Sequence, residues 1–373
     1  MRRAIDTARS LTMSLLLPMR GDNALQQIRT LRLEGSKMFE GTSIGAGGRV
    51  QFAIVLPVYN DWVSFNRLLL DIQALFPRET FDIVIYAIDD CSDTLAQPLA
   101  LNGPIAAVNI VRLSMNVGHQ RAIAVGLVLA AERPSADWIA VMDADGEDRP
   151  EDLRTLVTMA ADAPDKVFVA LRKKRSEGVS FKLFYWLYVR AFKMLTGKSI
   201  RFGNFSVLPR RYAVRLAHNG NVWNHFAATL VQAKMPLEAI PTIRGTRYAG
   251  RSSMNFVSLV THGLGAMSVF SEAIFVRIIL MSGLLLGASL IGSLTVIAMR
   301  LFTSVTVPGW ATSVLGFAAL LGVQAIVTPI LMAFMLLNNR SALQIVPKDT
   351  VLNLVESVIP IYEREAAEVP EQR

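Results

Sequence analysis

From Gln51 onward the chain alternates short apolar runs with segments of helical period. "QFAIVLPVY" (51–59), "FDIVIYAIDD" (81–90), "AAVNIVRLS" (106–114) and "DWIAVMDAD" (137–145) have the length and apolar content of strands. Between them, "WVSFNRLLLDIQALF" (62–76) and "GHQRAIAVGLVLAAER" (118–133) repeat apolar residues three and four apart and predict helices. Strands alternating with helices predict an α/β domain with a mostly parallel sheet, and such sheets bind ligands at the carboxyl ends of their strands. The polar clusters "VYND", "IDDCSD" and "DADGED" fall at three of those ends, so they are expected to meet in one crevice.

The pattern changes near the C-terminus. Ile278–Met299 carries no charge for 22 residues and Ala311–Leu337 none for 27. About 20 apolar residues cross a bilayer, so both runs are long enough, and Gly283, Gly287, Gly292, Gly316 and Gly322 suit helix packing there. The linker "RLFTSVTVPGW" is short and ends on Trp310, which predicts a helical hairpin with both flanks on one side of the membrane. Lys and Arg crowd the flanks while the linker holds only Arg300, so the bulk of the chain is expected on the cytoplasmic face of an inner or plasma membrane. Segments 180–195 and 253–270 mix aromatic or apolar residues with spaced polar ones; each reads as an interfacial helix or as a core helix.

These patterns divide the chain into an extension (1–48), a catalytic domain (49–256) with an interfacial helix near 180–197, a juxtamembrane helix (257–277), two membrane helices (278–337) and a cytoplasmic tail (338–373). The glycines of "GTSIGAGG" precede the first strand instead of following it, which excludes a dinucleotide-binding loop and makes them a linker. The N-terminal twenty residues lack the continuous apolar core of a signal peptide.

Composition sharpens the class. The chain of 373 residues is 52% hydrophobic, with a net charge of +8 whose focus lies between Lys166 and Arg215, including "RKKR" at 172–175. Beside two membrane helices, that basic focus suits headgroups and an anionic lipid better than nucleic acid. A single cysteine, Cys91, allows no internal disulfide and fits a reducing compartment.

The densest chemistry lies in "VMDADGEDRP" (141–150), directly after the apolar run "WIAV". Asp143, Asp145 and Glu147 alternate, and in an extended or turning backbone they project to one side as hard oxygen ligands for Mg²⁺ or Mn²⁺. A helix start accounts for the second half equally well, with Asp148 or Arg149 as cap and Pro150 at the first helical position. It leaves Asp143 and Asp145 unexplained. His119 either contacts phosphate or begins a helix, and His225 is expected to be packed or partnered.

"LPVYND", "IDDCSD", "NVGHQRAIAVG", "DADGEDRPEDL", "GNFSVLPRR" and "RYAGRSS" stand in the order found in family 2 glycosyltransferases. Over about 52–256 the chain resembles the polyprenyl-phosphate sugar synthases of that family, such as dolichyl-phosphate mannose synthase and the bacterial undecaprenyl-phosphate glucosyltransferases. The resemblance implies a GT-A type, Rossmann-like nucleotide-sugar domain before the hairpin, and inverting transfer of a sugar from a nucleoside diphosphate sugar to a polyprenyl phosphate. It places Pro57, Tyr59, Asp61, Asp89, Asp90 and Asp143 around the nucleotide, with Asp61 where Glu is more usual. Asp143, Asp145 and Glu147 form its metal set, Glu147 replacing a Gln, and Asp145 is also placed at the catalytic centre. Arg172, Lys182, Arg247 and Arg251 fall where basic residues meet phosphate; Ser253 stands at a position that usually holds Lys.

The largest departure is Asn204, where those enzymes carry an Asp read as the base. An amide cannot take a proton, but a phosphate acceptor, with its second ionisation near pH 6, already offers an oxyanion. A hydroxyl acceptor on another lipid or glycan would need a carboxylate, for which Asp148 is the candidate. An inactive membrane scaffold that keeps the fold is the remaining alternative, and a homo-oligomer is compatible with either.

Overall fold

The computed structural model describes residues 49–364, leaving out 97–98, 134, 173–178, 251–255, 304–308 and 342–345. The extension 1–48, Arg251 and Ser253 therefore lie outside the described residues.

The expected elements form. β1 (Val50–Val58), β2 (Phe81–Asp89), β3 (Ile105–Leu113) and β4 (Trp138–Val141) are joined by α1 (Trp62–Leu75) and α2 (His119–Ala131). Then follow α3 (Pro150–Asp162), β5 (Val167–Arg172), α4 (Val179–Thr196), β6 (Ser206–Pro209), α5 (Arg210–Ala217), α6 (Phe226–Gln232) and β7 (Leu237–Thr242). The chain continues through α7 (Phe256–Ser268), α8 (Ser271–Phe302), α9 (Trp310–Ser341), α10 (Pro347–Leu354) and β8 (Val355–Glu363).

Eight strands make one mixed sheet in the order β7-β5-β6-β4-β1-β2-β3-β8. β1 pairs in parallel with both β2 and β4, and Val58 stands directly opposite Asp89, which brings "VYND" and "IDDCSD" side by side. β6 runs antiparallel to β4 and β5. β8 was not anticipated: the stretch read as a tail returns to the sheet as an antiparallel edge, with Val111 opposite Val358.

Central parallel strands are covered on both faces, so their residues divide between two cores. Phe52, Ile54 and Leu56 of β1 pack with Phe65, Leu69, Phe76 and Leu153 on one side. Ala53 and Val55 pack with Ile123, Leu127 and Phe226 on the other. Gly126 explains how closely α2 approaches: a Cβ there would lie 2.3 Å from Val55 Cγ1 and 2.9 Å from Ile88 Cγ1. Gly126→Ala is therefore expected to lower stability by about 1–3 kcal/mol through overpacking, read from the thermal unfolding midpoint.

Two compact units result. One holds the sheet domain with α10 and β8; the other holds α4, α8 and α9, the division falling inside α7. In the second unit α8 and α9 are long and apolar enough to cross a membrane, and their side chains there are almost wholly unburied. Ser289 Oγ of α8 donates to the Ala318 carbonyl of α9 at 2.5 Å. Arg277, one turn into α8, ends α4: its Nη1 donates to the carbonyls of Met194 (2.6 Å) and Lys193 (3.3 Å).

Candidate active site

The three polar clusters do gather at one end of the sheet, and each is built differently. At the end of β1, Asn60 takes a left-handed φ of 53° and locks onto the end of β2. Its side chain donates to Asp93 Oδ2 (2.9 Å) and accepts from the Asp93 N–H (2.8 Å), and its own N–H donates to Ser92 Oγ (2.9 Å). Pro57 is half-buried in β1, while Tyr59 is 53% exposed. Asp61 caps α1, accepting from the Ser64 N–H at 3.3 Å.

At the end of β2 both carboxylates are already engaged. Asp89 is buried against Arg112 (3.1 Å) and accepts from the Ser92 N–H (2.8 Å). Asp90 accepts from the N–H groups of Val117 (2.7 Å) and Gly118 (2.9 Å), which holds the loop that starts α2. Burial raises the Asp90 carboxyl above the usual range despite those two donors.

The turn after β4 is the electrostatic centre. Burial alone would raise Asp143; His119, Arg172 and Arg247 outweigh it and hold the carboxyl at about 2, so Asp143 is ionised. His119 Nε2 lies 3.3 Å from Asp143 Oδ1, yet that oxygen is buried without a well-aligned donor. Asp145 receives the Glu147 N–H (2.9 Å) on one oxygen and Arg247 Nη2 (2.6 Å) on the other. Burial, then repulsion from Asp143, raises Asp145 above its ordinary value.

The alternation at 143, 145 and 147 does not deliver three convergent carboxylates, and among the described residues no three acidic, His or Cys side chains cluster as metal ligands. β4 ends at Val141, and Gly146 takes a φ of 87°, so the backbone turns between 145 and 147. Glu147 is directed instead to Arg244, with Arg172 at 3.9 Å. Asp143 and Asp145 remain the hard-oxygen pair, and the buried Oδ1 of Asp143, which accepts no well-aligned hydrogen bond, suits a divalent cation.

Asp148 does not fit the role of base for a hydroxyl acceptor. It is 1% exposed, one oxygen accepts from the Asp143 N–H (2.9 Å) and the other pairs with Arg172. Burial and the neighbouring Asp143 charge push its carboxyl up to about 7, against the pull of Arg172. Arg149 takes the cap position of α3, with Pro150 behind it. Arg172 is thus shared among Asp148, Asp143 and Glu147. Lys182 lies on α4, but its side chain is outside the described residues.

Asn204 sits in a polar chain with Gln120 and His119. The Phe226 N–H donates to Gln120 Oε1 (2.7 Å), so Gln120 Nε2 is the donor to Asn204 Oδ1 (3.3 Å). That leaves Asn204 Nδ2 facing His119 Nε2 at 3.1 Å.

His225 is partnered, as expected. Its Nδ1 accepts from the Ala228 N–H (3.2 Å) and its Nε2 meets His262 Nε2 at 3.1 Å. Burial, then the His262 neighbour, lowers His225 to about 3, so it is neutral in the fold while the unfolded chain protonates near pH 6.5. Stability is therefore expected to fall as pH drops below about 6.5, by up to roughly 1.4 kcal/mol per pH unit. His225→Asn, which keeps the cap acceptor, should flatten that slope in thermal unfolding between pH 7 and pH 5.

Sequence reasoning passed over Arg244, Arg112, Asn60 and Tyr248. The run "IRGTRYAGR" shows three arginines at a spacing of three and four, and the first of them, Arg244, carried the same signal as Arg247.

The family model described as "Glycosyl transferase family 2" matches residues 53–223, the span that holds β1 to α5 and the acidic turn. Over those residues the chain is similar to a family 2 glycosyltransferase domain. The uncharacterized glycosyltransferase YkcC of Bacillus subtilis is 23% identical over 270 residues, covering 70% of this chain and 81% of that protein. An undecaprenyl-phosphate 4-deoxy-4-formamido-L-arabinose transferase of Yersinia enterocolitica is 31% identical over 163 residues, 43% of this chain. The chain spans about half, 48%, of that relative's length. Among solved structures, glucosyl-3-phosphoglycerate synthase of Mycobacterium tuberculosis, in complex with Mn²⁺, UDP and glucosyl-3-phosphoglycerate, aligns with 62% of this chain and 80% of its own at 13% identity and a TM-score of 0.37. The sheet domain is the mixed α/β domain expected, followed in the chain by two long apolar helices.

Proposed function

We propose that this chain moves a sugar from a nucleoside diphosphate sugar to a polyprenyl phosphate at the cytoplasmic face of the membrane that its two apolar helices span. The observation that carries the reading is the state of the two candidate base positions: Asn204 is an amide, and Asp148 is buried with both oxygens engaged. An acceptor that is already anionic needs no base at either position. The apolar helices and the basic stretch that begins at Arg172 suit an acceptor held in a bilayer.

In this mechanism Pro57, Tyr59 and Asp61 line the base pocket, while Asp89 and Asp90 hold its floor through Arg112 and the 117–118 loop. Asp143 and Asp145 would hold Mg²⁺ or Mn²⁺, which would supply positive charge to the donor's diphosphate. Glu147 anchors Arg244 instead. An oxygen of the lipid phosphate attacks the anomeric carbon from the face opposite the leaving group; one C–O bond forms, the bond to the diphosphate breaks, and the configuration inverts. Arg247, beside Asp145, takes up the charge growing on the departing diphosphate.

Membranes holding the chain, given labelled UDP- and GDP-sugars with polyprenyl phosphate and Mn²⁺, should yield organic-extractable label that mild acid releases. Acid-stable label on a lipid or polymer would replace this reading with transfer to a hydroxyl. No transfer from any donor would leave a scaffold.

A further inference from the structure

The loop 244–248 does more than bring arginines to the acidic turn. Its backbone is fastened to the backbone of that turn: the Gly245 N–H donates to the Glu147 carbonyl and the Tyr248 N–H to the Asp145 carbonyl, both at 2.9 Å. The contact is so close that a Cβ on Gly245 would lie 2.1 Å from the Gly146 oxygen. A Cβ on Gly146 would lie 2.6 Å from Cδ2 and Cε2 of the Tyr248 ring. That ring packs against the core on the α1–α3 side of the sheet, and its hydroxyl donates to Asp71 Oδ2 of α1 at 2.7 Å. Asp71 is itself steadied by Arg67 at 3.1 Å.

Asp145 cannot take its position by strand geometry, because β4 has ended and Gly146 has turned the chain. A turn with a left-handed glycine at its centre is held by what packs on it. Here one face of Gly146 is filled by Tyr248, and the outer end of Tyr248 is held by a helix of the rigid domain.

We propose that Tyr248, held by Asp71, is a positioning residue that sets the Asp143–Glu147 turn against the donor's diphosphate. It acts through Gly146 and the Asp145 carbonyl and touches no reacting atom. The proposal rests on the transferase reading above only for its kinetic consequence; the geometric part stands on its own.

The test uses the full chain in detergent, free of metal and donor. Hydrogen exchange at the Gly245 and Tyr248 amides reads the two bonds to the turn directly. Tyr248→Phe keeps the ring and loses the anchor, and Asp71→Ala loses the acceptor; each should speed exchange at both amides by roughly tenfold, the loss expected for one net hydrogen bond. Asp71→Asn, whose amide oxygen still accepts from the phenol, should stay close to wild type in exchange. With an active donor pair, Tyr248→Phe should lower kcat while leaving the donor KM nearly unchanged, since only the transition state needs the turn exactly placed. Wild-type exchange in both Tyr248→Phe and Asp71→Ala overturns the proposal. If Tyr248→Phe loses cooperative unfolding, Asp71→Ala alone decides it. An inactive wild-type protein would remove the transferase reading and leave the exchange result to judge the anchor.

Discussion

Asp145→Asn should abolish most transfer while leaving the protein folded. The carboxylate accepts the Glu147 N–H at 2.9 Å on one oxygen and meets Arg247 at 2.6 Å on the other. An amide oxygen keeps the first of these, so the turn retains its backbone bond; the second loses its charge. In the proposed mechanism the loss falls where negative charge grows on the leaving diphosphate, and removal of one such electrostatic group costs on the order of 10²–10³ in kcat. The thermal unfolding midpoint should move little, because an ion pair with a part-exposed arginine contributes about 0–1 kcal/mol. A fully active variant in the donor and acceptor assay would remove Asp145 from the chemistry. A variant that fails to fold would make the Arg247 contact structural.

Much of this arrangement was readable in the sequence because it rests on local signals. The strands ending at Val58 and Asp89 and the helices beginning at Trp62 and His119 follow from period and polarity alone. Their parallel register then brings distant polar clusters together without further information. The acidic turn was recognised by composition, but the direction of its side chains was not, because alternation holds only while the backbone stays extended. A single left-handed glycine sent Glu147 to Arg244.

β8 was missed for a different reason. Its partner β3 lies across the whole apolar hairpin: Arg112 pairs with Glu356, 244 residues away. No short-range pattern encodes a pairing at that distance. The clasp of Asn60 on Asp93 and the hold of Asp71 on Tyr248 belong to the same class, contacts between side chains that only the finished sheet brings within reach.

The reason one arginine can matter as much as the acidic residues is the burial of Asp148. Arg172→Met is expected to destabilise the fold by about 1 kcal/mol more at pH 8 than at pH 5, because a carboxyl that titrates at about 7 with Arg172 beside it would stay protonated without it. The sign of its pH dependence follows from the raised carboxyl. Asp148 moves from an ordinary value of 3.8 up to about 7, so the folded state keeps its proton where the unfolded chain has released it. The stability this gives is fully present below about pH 3.8 and is lost as pH rises through about 7. Arg172 is the positive charge that limits the rise, and without it the carboxyl stays protonated to still higher pH. The penalty of Arg172→Met should therefore be small at pH 5, where Asp148 is neutral and needs no partner, and should grow steadily toward pH 8. Asp148→Asn in the same chain should recover most of the loss, since an amide carries no charge and its oxygen still accepts the Asp143 N–H, now at 2.9 Å. Thermal unfolding of the two single variants and the double variant at both pH values closes the cycle. A penalty that is equal at pH 5 and pH 8, or one the second substitution leaves untouched, would mean that Arg172 is held there for Asp143 and Glu147, each at 3.9 Å, and not for Asp148.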